Sequence, residues 1–70
     1  MKVRDLLETM NNDSIVAIRF VGGYIIMKGR CVEIYNNAGM TILNQEVVKT
    51  RIIEDPGKMV KSYLMINIKL

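Results

Sequence analysis

An α+β fold follows from three features of these 70 residues: one short N-terminal amphipathic helix packed on a four- to five-stranded, mainly antiparallel sheet. Val3, Leu6, Leu7 and Met10 recur at i, i+3, i+4 and i+7, the apolar stripe of a helix. Gly22-Gly23 separates two runs rich in Ile, Val, Phe and Tyr, the signal of a β-hairpin. Leu64, Ile66, Ile68 and Leu70 alternate with Tyr63, Met65, Asn67 and Lys69, the pattern of a half-buried strand. Residues 1–70 therefore read as one small domain.

Taken in order, the helix is expected to end at Asn11-Asn12, since Asn tolerates the left-handed conformation that closes helices. So short a helix is marginal alone in water and needs an apolar surface to cover, which the hairpin supplies. With Gly22 and Gly23 as a two-residue loop, Phe20 faces Ile25, Ile18 faces Met27, Val16 faces Gly29 and Ser14 faces Cys31. One face then carries Val16, Ile18, Phe20, Ile25, Met27, Gly29 and Cys31 and is the core side. The other carries Ile15, Ala17, Arg19, Val21, Tyr24, Ile26, Lys28 and Arg30. Val32 to Tyr35 reads as extended, and because strict alternation would turn Glu33 inward, a bulge near Gly29 is expected to reset the phase. Asn36-Asn37-Ala38-Gly39 reads as a loop, and Thr41 to Glu46 as a helical turn or an irregular crossing. Val47 to Glu54 alternates, with Val48, Thr50 and Ile52 opposite Val47, Lys49, Arg51 and Ile53. Asp55-Pro56-Gly57-Lys58 has the residues of a turn.

Composition narrows the function classes. A chain that is 50% hydrophobic and 6% aromatic builds its core from Ile, Val, Leu and Met and is too apolar to remain disordered. With one Cys and no His, neither an internal disulfide nor a structural zinc site can supplement that small core, which leaves self-association. No run reaches the roughly 20 apolar residues that span a bilayer, and a lone Cys31 in an apolar setting suits a reducing compartment, so a cytoplasmic location is expected. Catalysis finds no His base, no phosphate loop and no carboxylate pair, and Cys31 reads as a small apolar filler. Neither an enzyme, a metal, a cofactor nor a small-molecule substrate is expected.

The second face of the hairpin is the feature that points to function. Arg19, Lys28 and Arg30 share it, later strands offer Lys49, Arg51 and Lys69, and Tyr24, Tyr63 and Asn67 lie among them, in a chain of formal charge +3. Asp5, Glu8 and Asp13 gather near the helix instead. Ile15 and Ile26 add apolar area of the kind that marks partner sites. These residues support a protein-binding face, with Arg19, Tyr24, Lys28, Arg30, Ile15 and Ile26 as the contacts and another protein or a second copy as partner. Cations with interspersed tyrosines also suit single-stranded nucleic acid, the alternative partner. An ordinary solvated face, with Lys and Arg stems lying over apolar neighbours, accounts for the same pattern.

The opening Lys2-Val3-Arg4-Asp5-Leu6-Leu7-Glu8, the hairpin with Gly29, Val47 and Val48 after an acidic residue, and the closing Leu64-Met65-Ile66-Asn67-Ile68 resemble small uncharacterised proteins carried by phages and prophages of Gram-positive bacteria. The chain departs from that pattern at Lys2, where such proteins often carry a Thr that caps the helix. The resemblance carries over no functional residue. It implies a context: small phage proteins that act by binding in the host cytoplasm, among them inhibitors of host defence such as anti-CRISPR proteins.

Overall fold

Seven short elements succeed one another in the computed structural model, which describes residues 1–54 and 62–69: α1 (Val3–Glu8), β1 (Ile15–Phe20), β2 (Ile25–Arg30), α2 (Cys31–Asn37), α3 (Gly39–Leu43), β3 (Val47–Ile53) and β4 (Tyr63–Ile68). The fold is α+β; among the described residues it has three helices and one mixed, mostly antiparallel sheet of strand order β2-β1-β4-β3. The turn expected at Asp55-Pro56-Gly57-Lys58 and the alternation expected at Leu70 lie outside the described residues.

The apolar stripe forms α1 as expected, with Val3 and Leu7 buried and Leu6 and Met10 packed beside them. Lys2 has no side-chain acceptor to cap the first turn, but Asp5, three residues on, accepts the Lys2 backbone N–H at 3.1 Å. The helix stops before Asn11-Asn12. Thr9 closes it, its backbone N–H and its hydroxyl both donating to the Leu6 carbonyl, at 3.1 and 2.7 Å.

The hairpin keeps the expected register from Ser14 to Ile18, with Val16 opposite Gly29, Ile18 opposite Met27 and the Cys31 N–H donating to the Ser14 carbonyl at 2.7 Å. Beyond Ile18 it shifts, and Arg19 stands opposite Ile25. The reason is the turn. Only Gly22 of the glycine pair takes a positive φ, 77°, and the closing bond runs from the Gly23 N–H to the Phe20 carbonyl at 2.8 Å. Gly22 thus occupies the third position of a Phe20 to Gly23 turn, where positive φ is required, instead of sharing a two-residue primed loop with Gly23. The offset is absorbed in β2, so the bulge lies near Ile26 and not near Gly29. Ile25 loses its place on the core face and is 43% exposed.

Val32 to Tyr35 is helical, not extended. Cys31, Ile34, Tyr35 and Ala38 fall at i, i+3, i+4 and i+7, and along α2 and at its C-cap all four meet the core, while Glu33 faces solvent in the first turn, where an acidic group suits the helix dipole. Gly39, at φ 80°, breaks the chain between α2 and α3, so the expected four-residue loop shrinks to a kink.

The central pair, β1 and β4, is parallel: Val16 pairs with Leu64, Ile18 with Ile66 and Phe20 with Ile68. All three helices cover this face, where Val16, Ile18, Ile66 and Ile68 join Val3, Leu7, Cys31, Ile34 and Leu43 in the core. In β3 the ladder slips between Val47 and Lys49, which puts Val47, opposite Ile68, on the core face instead of beside Lys49 and Arg51 as strict alternation predicts. Thr50 and Ile52 point to the helix side but lie beyond its cover, leaving Ile52 67% exposed.

Alternation alone treats Ile66 and Ile52 as equals; the fold does not. Ile66→Ala is expected to cost about 2–5 kcal/mol, against about 4–10 kcal/mol for the whole stability of a chain this long. Ile52→Ala should stay within about 0.5 kcal/mol. Urea unfolding of the two variants checks the contrast, and equal losses would contradict it.

Candidate functional site

Among the described residues, no helix covers the other face of the sheet. Its central residues, Ala17 and Arg19 of β1 beside Met65 and Asn67 of β4, are set side by side by the parallel register. Ala17 is nonetheless fully buried, and Met65 and Asn67 are nearly so. One long side chain crosses the strands here. Lys28 of β2, paired with Ala17, reaches over β1 and places its ammonium 4.0 Å from the ring centroid of Tyr63 on β4. Its aliphatic stem shields Ala17 and its charge rests on the ring, a cation–π contact worth about 0.5–1 kcal/mol when exposed. A small residue at position 17 is what leaves room for that crossing.

Beside this bridge, Arg19, Lys49, Arg51, Ile53, Met65 and Asn67 enclose a shallow hollow of about 90 Å³. The three cations come from β1 and from β3, brought to one side by the pairings of Arg19 with Asn67, Lys49 with Asn67 and Arg51 with Met65. Asn67 donates its side-chain amide to the Lys49 carbonyl across the strands, a long bond of 3.4 Å. Arg19 is half-buried, and its Nε–H is sealed from solvent with no acceptor. An unpaired buried donor costs about 1–3 kcal/mol, more when it belongs to a charged group. Among the described residues, none of Arg19, Lys28, Lys49 and Arg51 has a carboxylate within 4.0 Å.

The expected contacts divide. Arg19 and Lys28 come together on this face, joined by Lys49, Arg51, Tyr63 and Asn67. Ile15 is half-buried at the start of β1, and Ile26 is partly exposed at the β2 bulge. Tyr24 stands in the hairpin turn at 91% exposure, away from the hollow. Arg30 is occupied: its guanidinium donates to Glu33 at 2.9 Å and to Asp13 at 3.3 Å. The hydrogen bond from Arg30, and then its charge, hold the Glu33 carboxyl below the usual carboxylate range, and Glu33 in turn raises Arg30. Alternation could not separate Arg30 from its neighbours, because Glu33 reaches it only through the first turn of α2.

Cys31 is buried as expected of an apolar filler, donating its thiol to the Leu7 carbonyl at 3.2 Å, and burial pushes its pKa up. No cluster of three or more His, Cys, Asp or Glu suited to a metal occurs among the described residues, and no helix there is long and apolar enough to cross a membrane. No family model, curated protein or solved structure matches the chain.

The Arg30–Glu33 pair carries a definite pH dependence. Because the folded state lowers the Glu33 pKa, its contribution is fully present above the unfolded value, about 4.3, and is lost as pH falls through the lower folded value. Glu33→Gln should therefore be slightly less stable than the parent at neutral pH, and the gap should close in acid. Urea titrations from neutral pH down to about pH 2 test this. A gap that does not change with pH would contradict the pairing.

Proposed function

We propose that this chain is a non-enzymatic protein-binding module whose helix-free sheet face receives an acidic, partly apolar surface of another protein. The observation that carries the reading is the assembly of Arg19, Lys49 and Arg51 around the apolar side chains of Ile53 and Met65, with Lys28 beside them over the Tyr63 ring and no carboxylate to neutralise the four cations among the described residues. Arginine is a favoured anchor at interfaces, and an apolar centre with a charged rim is how partner sites are composed. Complementary charge would speed encounter and select the partner.

The same cations suit nucleic acid less well. A single-strand platform needs open ring faces, whereas Tyr63 already carries the Lys28 ammonium and Tyr24 projects from the turn. A second copy on this face would set like charges against each other across a two-fold axis, so we assign the face to a different protein. Self-association, expected from the small core, would have to use the outer edge of β2 or β3 instead. The resemblance to phage-carried proteins supports a host protein as the partner, met in the host cytoplasm and inhibited by the contact.

Lys28→Glu/Arg51→Glu is the direct test. Tagged parent and variant, each verified as folded by circular dichroism, are compared in pull-downs from nuclease-treated Gram-positive lysate, and the retained protein is then titrated in purified form. The double reversal should weaken that binding by at least about 100-fold, the scale of two interface hot spots. Unchanged affinity would refute the assignment. Nucleic acid bound instead, with affinity falling steeply as salt rises, would transfer the face to the alternative partner.

A further inference from the structure

We infer that the hollow between Arg19, Lys49, Arg51 and Asn67 is an oxyanion subsite that receives the carboxylate of an acidic side chain; this deepens the binding-face reading and rests on it. Three cations from two strands line a space of about 90 Å³, room for one small planar group. Asn67, 6% exposed, closes the floor with its amide turned to the Lys49 carbonyl.

Arg19 makes the hollow more than a patch of positive charge. Its Nε–H is buried without an acceptor, and the residue lines the hollow. Nε–H and one terminal N–H of a guanidinium lie parallel and match the two oxygens of a carboxylate, the bidentate arrangement. A carboxylate that draws the guanidinium outward by rotation of its terminal torsions supplies the acceptor that the folded chain lacks. Arg51 and Lys49 add charge from β3, and Ile53 and Met65 give the methylenes of an Asp or Glu side chain an apolar wall.

The test follows the Arg19 Nε–Hε resonance by NMR as sodium acetate, the carboxylate probe, is added to the intact protein. Sodium chloride at equal ionic strength controls for screening. Monobasic phosphate at about pH 5.5 is the competing oxyanion, carrying a single charge under those conditions as acetate largely does. A saturable shift with acetate, absent with chloride and no tighter with phosphate, supports the subsite. Arg51→Gln should weaken the acetate response about tenfold, the loss of one charge-assisted hydrogen bond, whereas Arg30→Gln, outside the hollow, should leave it unchanged. No shift beyond that of chloride overturns the subsite. So does equal weakening by Arg30→Gln, and phosphate binding without acetate binding overturns the carboxylate assignment. The two readings fail differently: acetate binding with partner capture insensitive to Lys28→Glu/Arg51→Glu refutes the docking face alone. Capture lost on that reversal, with no acetate response, refutes the subsite alone.

Discussion

The parallel pairing of β1 with β4 is the constraint on which the rest of this fold depends. It joins strands from opposite ends of the chain at the centre of the sheet and fixes which residues share each face. Val16 and Ile18 meet Leu64 and Ile66 on the helix side, and every helix then has a common surface to cover. Ala17 and Arg19 meet Met65 and Asn67 on the other side, and the cations of β3 follow because β3 pairs with β4. A slip of one residue would send Ile18 and Ile66 to opposite faces and dissolve core and hollow together. Such non-local pairing must be closed before it is rewarded, so the chain is expected to fold slowly for its size.

The other face shows how a small sheet is covered where none of the described helices lies over it. Long side chains lie across short ones, with Lys28 over Ala17 and the Tyr63 ring beneath its ammonium. If this is the binding face, as proposed, stability and recognition draw on the same groups. Removing Lys28 strips cover from Ala17 as well as charge from the face, so Lys28→Met, which keeps the stem, separates the two roles better than Lys28→Ala. The buried Nε–H of Arg19 belongs to the same compromise. It is a cost in the free chain that the proposed acidic partner would relieve.

Local patterns made much of the fold legible. The stripe from Val3 to Met10, the pairing of Val16 with Gly29 and of Ile18 with Met27, and the alternation from Tyr63 to Ile68 each need only neighbouring residues. Misreadings arose where two patterns competed. Val32 to Tyr35 has the β-branched and aromatic composition of a strand, yet Cys31, Ile34, Tyr35 and Ala38 carry the helical period that wins once a core is present to receive it. The glycine pair suggested a primed turn, and the register near it followed the single positive φ at Gly22 instead. Of the site, Arg19 and Lys28 were legible from hairpin alternation. That Arg19 would lie beside Asn67 and near Arg51 was not, since it depends on the order and direction of strands far apart in sequence. The loss of Arg30 to Glu33 was hidden for the same reason that α2 was.

One parallel pairing sorts the chain into an apolar face under the helices and a cationic face opposite it. Long-range nuclear Overhauser contacts between side chains of β1 and β4 test it most directly. The parallel register predicts contacts of Ile18 with Ile66 and of Ala17 with Met65, and none between Ala17 and Ile66 across the sheet. Contacts of Val16 with Ile68 and of Phe20 with Leu64, the signature of antiparallel pairing, would contradict the account, and so would Ile18 facing Met65.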